Sequence, residues 1–206
     1  MNYLRKDPPK GGSELFLGKR AAKKRVGVCI ITAEYLLNSQ IELIFAALVP
    51  DNRRVLQVML RTGLRVSDVL HLKKNEIGRQ FWVTEQKTGK RKQCGLPDWL
   101  TKEIQSAAGE SEWAFPSPFA PDRHRTRQAV WKDLKRASKL LRVPVNVGTH
   151  SMRKAYAVDL MNKYGSIEKV RRDLNHDSPM VTQLYAMADL LAVSAARRKV
   201  SYKRRR

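Results

Sequence analysis

Four short stretches carry side chains whose types and spacing could hold an anion or attack a substrate. Residues 149–165, THSMRKAYAVDLMNKYG, open with His150 and Arg153, three apart and so on one face if the stretch is helical. Cations are better placed at a helix C-terminus, so an imidazole and a guanidinium in a first turn suggest an anion between them. Backbone N–H groups, a ring donor and a planar fork can converge on one phosphate. Two solvated residues that share a turn are the plain alternative. TGLRVSDVL sets Arg65 just after Gly63, at a bend that can aim a guanidinium inward, with Asp68 three residues on to orient it. Equally, Arg65 can cap the preceding helix and Asp68 can offset a helix dipole. EQKTGKRKQ gathers Lys87, Lys90, Arg91 and Lys92 around a turn, either a solvated tip or a flexible loop that delivers one ammonium into a groove. LNHDSPMVTQLY places His176 nine residues before Tyr185, a phenol suited to core packing or to nucleophilic attack.

The elements that must position these groups are mostly helical. Regular structure is expected from about Thr32. Ser39 and Glu42 have capping-box spacing before IELIFAALV, and Pro50–Asp51 interrupts before NRRVLQVMLRT. Gly63 closes that helix and Ser67–Asp68 restart another. RQFWVTEQ and RKQCGLP form a hairpin across KTGK, with Gly89 supplying the turn. Helix returns at DWLTKEIQSAAG. After the Pro-rich loop WAFPSPFAPD comes a strongly basic helix, TRQAVWKDLKRASKLL. The stretch opened by His150 follows, then SIEKVRRDLNH, then SPMVTQLYAMADLLAVSAARRK, with Ser178 as cap and Pro179 at the first helical position. The fold class is α+β: a mainly helical domain with a small antiparallel β-sheet.

Charge narrows the partners. The 206 residues hold 41 Lys+Arg against 19 Asp+Glu, a formal net charge of +22. Residues 1–25 contribute +6 and the last ten, RRKVSYKRRR, contribute +7, which leaves +9 on the body of the chain. Such a field binds polyanions through phosphate contacts and counterion release. No apolar run reaches the ~18–20 residues of a membrane span. Cys29 and Cys94 have neither zinc nor CxxC spacing, so a disulfide framework is not expected and a reducing cytoplasm is.

Taken in order, Arg65 in TGLRxS, Lys87 in the KTGK hairpin, His150-x-x-Arg153, His176 in L-x-H and Tyr185 resemble the tyrosine recombinases, or phage integrase family. The resemblance covers residues 33–195. The chain departs from the family's common LRH at Met152-Arg153-Lys154, from LGH at Leu174-Asn175-His176, and from valine-proline-leucine at Cys94-Gly95-Leu96-Pro97. None of these departures removes a catalytic side chain. Most relatives also carry an N-terminal domain that closes a clamp around DNA, and residues 1–31 are too short to replace it. That difference bears on stable DNA binding by this chain alone and on its choice of site, not on the chemistry.

The resemblance implies a catalytic domain at 32–196, flanked by a basic, flexible arm at 1–31 and a basic tail at 197–206. It implies DNA cleavage and rejoining for integration, excision or resolution of a phage or other mobile element. Tyr185 attacks the scissile phosphate and forms a 3′-phosphotyrosyl bond, which conserves bond energy and makes ATP unnecessary. His150 accepts the phenolic proton, Arg65, Arg153 and His176 hold the non-bridging oxygens, and Lys87 protonates the leaving 5′ oxygen. Fixed cations then do what a divalent metal does in other nucleases, so neither metal nor other cofactor is expected. Lys90, Arg91, Arg125, Arg127 and Lys154 are the candidate DNA contacts. The expected partners are double-stranded DNA, three further copies in a tetramer on DNA (monomer or weak oligomer when free) and an accessory DNA-binding protein. The expected location is the nucleoid of a bacterial cytoplasm. A type IB topoisomerase-like enzyme and a non-catalytic DNA-binding regulator share much of this pattern and stay open as alternatives.

Overall fold

The computed structural model describes residues 36–175. His176, Tyr185, the N-terminal arm and the C-terminal tail lie outside the described residues. In chain order the elements are α1 (Asn38–Ala47), α2 (Pro50–Thr62), α3 (Val66–Leu70), β1 (Gln80–Thr84), β2 (Arg91–Gly95), α4 (Asp98–Ala108), α5 (Arg127–Leu140), α6 (Thr149–Tyr164) and α7 (Ile167–Asp173). The expected class, mainly helical with one small antiparallel sheet, is the class observed.

α2 is the central element. Pro50 occupies its first turn, where a missing N–H costs no helical hydrogen bond, and Asp51 complements the positive end of the dipole. Val55, Leu56, Val58 and Met59 are buried in the main core, against side chains from α1, α3, α4, α5, α6 and the hairpin. Gly63 ends the helix in the left-handed region at φ 67°, its N–H bonded to the Met59 carbonyl at 2.8 Å. That reversal sends the chain straight into α3.

Two helix starts differ from the sequence reading. α1 begins before Ser39, so the Ser39–Glu42 capping box is not formed; the Gln40 side chain instead accepts from the Leu37 N–H at 2.9 Å. α3 starts at Val66 rather than at Ser67–Asp68, which makes Arg65 its N-cap residue, in extended conformation. Arg65 thereby stands at the mouth of the helix instead of within the preceding one.

The hairpin pairs β1 and β2 antiparallel, with Phe81 opposite Cys94, Trp82 opposite Gln93 and Val83 opposite Lys92. Period-two alternation sends Phe81, Val83, Glu85, Lys92, Cys94 and Leu96 inward. Trp82 and Arg91 remain on the exposed face, the guanidinium 5.0 Å from the ring centre. Thr126 caps α5 by accepting from the Ala129 N–H, Gly165 closes α6 in the left-handed region, and Ser166 caps α7. A smaller apolar cluster of Ala157, Val170 and Leu174, with Tyr156, Leu160 and Met161 beside it, seats α7 on α6. Among the described residues no helix is long and apolar enough to cross a membrane.

Candidate active site

The α2–α3 reversal, the hairpin tip and the first turn of α6 bring their functional side chains together. The charges of Arg153, Arg65, Lys154 and Lys87 all act on His150. Four of the six predicted catalytic residues thus share one field, although up to 88 positions separate them in sequence (Arg65 to Arg153). His176 and Tyr185 fall outside the described residues.

Arg65 is held by a carboxylate that sequence reasoning did not select. Its Nη1 donates to Glu85 Oε2 at 2.5 Å. Asp68, expected to orient it, lies 4.0 Å from the same nitrogen. Asp68 instead accepts the Gln86 backbone N–H at 3.1 Å, tying α3 to the hairpin. Asp68 therefore hydrogen-bonds the hairpin while remaining in ion-pair range of Arg65. Glu85 is fully buried, at 0% exposure. The same carboxylate accepts the Thr88 hydroxyl at 2.9 Å and lies 4.0 Å from Arg153 Nη1. Burial alone would raise its pKa; the hydrogen bonds from Arg65 and Thr88 and the charges of Arg65 and Arg153 outweigh that and hold it below the ordinary value. Glu85 also shapes the turn that carries Lys87. Its N–H donates to the Lys90 carbonyl and its own carbonyl accepts from Gly89, which sits at φ 66°.

Arg153 is buried, 2% exposed, and braced by backbone. Its Nη1 donates to the Gly63 carbonyl and its Nη2 to the Leu174 carbonyl, each at 2.6 Å. These bonds use two of the five donors of a guanidinium and fix its plane between the ends of α2 and α7. His150 is exposed at the second position of α6. Desolvation, then the neighbouring positive charges, lower its pKa below the ordinary 6.5 and favour the neutral ring at pH 7. A neutral imidazole can accept a proton.

The candidate DNA contacts divide by exposure. Lys90, Arg91 and Arg127 are exposed, as is Lys87 at the hairpin turn. Arg125 is turned inward: it pairs with Asp51 and donates to Asn52 Oδ1 at 3.3 Å. Asp51 also pairs with Arg54, and Asn52 passes a hydrogen bond on to Asp133 of α5 at 2.9 Å. Arg125 is thus a strut between the start of α2 and the α5 side of the core, which corrects its reading as a DNA contact. Lys154 is likewise buried, so it adds positive potential at His150 rather than a surface contact.

The missed group, Glu85, and the inward direction of Lys92 were both signalled by strand alternation. FWVTE puts Glu85 on the face of Phe81 and Val83, and KQCGL puts Lys92 on the face of Cys94 and Leu96. A charge on an apolar face needs a partner.

Comparison with known proteins gives the family and the fold. The sequence model of the phage integrase family matches residues 34–190. The integrase of Escherichia phage P2 is 29% identical over 177 residues, covering 84% of this chain and 49% of that protein. Tyrosine recombinase XerD of Pseudomonas aeruginosa is 26% identical over 144 residues, covering 65% of this chain and 48% of that protein. The chain therefore spans about half the length of these curated relatives. In fold it is similar to a lambda integrase solved as a dimer bound to a COC′ core site, with TM-score 0.64 and 19% identity over 75% of this chain and 48% of that one. It is also similar to the catalytic domain of bacteriophage HP1 integrase, with TM-score 0.58 and 19% identity over 76% of this chain and 88% of that one.

Proposed function

The chain belongs to the phage integrase family, and from that membership we propose that it is a site-specific DNA recombinase working through a covalent 3′-phosphotyrosyl intermediate. The observation that carries this reading is the buried Glu85 carboxylate that gathers two guanidiniums, 2.5 Å from Arg65 and 4.0 Å from Arg153, with His150 under the charges of both and of Lys87 and Lys154. A field of that sign, with a neutral base inside it, suits attack on a phosphodiester.

In the proposed reaction Tyr185 Oη attacks phosphorus and its proton passes to His150. The bond to the 5′ oxygen breaks and Lys87 gives that oxygen a proton. Arg65, Arg153 and His176 take up the charge that grows on the non-bridging oxygens; loss of one such donor in comparable oxyanion sites costs ~2.7–4 kcal/mol. Resealing runs the same steps backward with a new 5′ hydroxyl. The substrate is double-stranded DNA at the nucleoid, Lys90, Arg91 and Arg127 contact its backbone, and strand exchange takes place in a tetramer, aided by an accessory DNA-binding protein.

The deciding experiment incubates the full chain with nicked suicide duplexes drawn from the ends of its element. Wild type should become covalently attached to DNA and Tyr185→Phe should not. Attachment that persists in Tyr185→Phe removes this nucleophile. Attachment accompanied only by relaxation of supercoiled DNA, without exchange between sites, removes the recombinase reading.

A further inference from the structure

Two buried cations bridge the same two helix ends in parallel. Arg153 joins the Gly63 carbonyl, just past α2, to the Leu174 carbonyl, just past α7. Beside it Lys92, on the inward face of β2 and 7% exposed, joins the Thr62 carbonyl at 2.6 Å to Asp173 Oδ2 at 2.7 Å. The last carbonyls of a helix lack intrahelical donors and carry the negative end of the dipole, so a cation there is doubly favoured. Tyr156 of α6 completes the arrangement. Its hydroxyl donates to the same Asp173 oxygen at 2.6 Å, and its ring lies 4.9 Å from the Lys92 ammonium. Burial, then the hydrogen bond to Asp173 and the charge of that carboxylate, push the phenol far above its ordinary range and keep it a donor.

These contacts exceed what a seven-residue helix needs to rest on its neighbour, and they meet at one place: the point where the chain leaves α7. The residue after Asp173 is Leu174, whose carbonyl holds Arg153. We infer that Lys92, Asp173 and Tyr156 form a positioning clasp that sets the end of α7, and through the Leu174 carbonyl the Arg153 guanidinium that meets the scissile phosphate. The inference rests on the proposed strand-cleavage reading. It makes the hairpin serve the reaction twice, with Lys87 at its tip and Lys92 at its base. A displaced donor is an expensive error, since a misplacement of 1 Å can cost about 100-fold in rate.

The test measures single-turnover covalent attachment of the full chain to nicked duplexes with an ordinary or a 5′-phosphorothiolate scissile linkage, together with DNA affinity and melting temperature. A thiolate leaves without a proton, so that substrate bypasses Lys87 but not the oxyanion donors. Lys92→Met and Asp173→Asn should each attach at least about 10-fold more slowly than wild type, with affinity unchanged within about 2-fold. The double variant should be no slower than the slower single. Their defect should persist on the phosphorothiolate, where Lys87→Ala recovers. Tyr156→Phe removes a single oxygen, keeps the packing and should be slowed in the same way, so it decides the matter if the other variants fail to fold. Wild-type attachment rates in folded variants, or recovery on the phosphorothiolate, overturn the clasp while leaving strand cleavage standing. Failure of the wild type to attach at all overturns the strand-cleavage reading and the clasp with it.

Discussion

Gly63→Ala is the most informative single change outside the reacting groups. Gly63 sits at φ 67°, where an L-residue costs roughly 1–2 kcal/mol. A Cβ built there would lie 2.3 Å and 2.4 Å from two ring carbons of Tyr156, against an ordinary contact of 3.4 Å or more, so something must retreat by about 1 Å. The ring is not a floppy end: Asp173 anchors its hydroxyl and Lys92 lies over its face. Overpacking of this kind costs about 1–3 kcal/mol, so the total is roughly 2–5 kcal/mol, a large part of a typical domain's stability. The retreat also loads the Gly63 carbonyl that holds Arg153. Urea unfolding of wild type, Gly63→Ala, Tyr156→Ala and the double variant separates the two contributions. Backbone strain survives in the double variant and the clash does not, so the cycle should show about 1–3 kcal/mol of coupling. A Gly63→Ala protein within about 0.5 kcal/mol of wild type, or an additive cycle, would refute the reasoning.

Three further outcomes follow from the site. Glu85→Gln should lose about 1.5–3 kcal/mol, the usual worth of a hydrogen bond to a charged partner, and should slow attachment to DNA by loosening Arg65. The folded pKa of Glu85 is depressed, so its contribution is complete above the unfolded value near 4.5 and fades as pH falls through the folded value; acid titration should show Glu85→Gln and wild type converging at low pH. For His150, whose pKa is lowered, the rate of attachment should rise with pH along a limb centred below 6.5; Lys154→Gln should move that limb upward, and a limb above 6.5 in wild type would contradict the field described here. Arg125→Ala should lower the melting temperature with little change in the salt dependence of DNA binding, whereas Arg127→Ala should reduce the salt slope by about one with little change in stability.

Arg65, Lys87, His150 and Arg153 each lie at a break that the sequence marks (a left-handed glycine, a turn, a helix start), but it is their order together, and not any one fragment, that carries the family resemblance. The α2 end and the hairpin followed from Gly63, Gly89 and period-two alternation, and they are where the alternation and turn residues put them. Two things were less legible. The direction a long side chain takes is decided by what is opposite it in space. Arg125 lies just ahead of the basic α5 helix and looks like part of a DNA-facing run, yet Asp51, 74 positions away, draws it inward. The principal partner of Arg65 was also hidden, since Asp68 is the carboxylate nearest in sequence and stays in ion-pair range, but Glu85 is nearer across the fold. A stricter reading of the strand pattern finds Glu85, because a carboxylate in register with Phe81 and Val83 must meet a cation.

The charges around His150 explain why acids belong in a site built for a phosphate. Arg65, Arg153, Lys87 and Lys154 bring four positive charges, and Asp68 and Glu85 bring two negative ones, leaving +2 with the imidazole neutral. A phosphodiester carries one negative charge, and attack by a deprotonated phenol adds a second as the five-coordinate arrangement forms. The phenolic proton makes His150 positive, so the site rises to +3 as the phosphoryl group reaches two negative charges, and its excess of one over the group it holds is kept from bound substrate to transition state. Without the carboxylates, four mutually repelling cations would strain the fold and grip substrate and product alike, which lowers no barrier. Removing Glu85 should accordingly tighten ground-state DNA binding even as it slows attachment. A merely structural carboxylate gives no reason for affinity and rate to move in opposite directions.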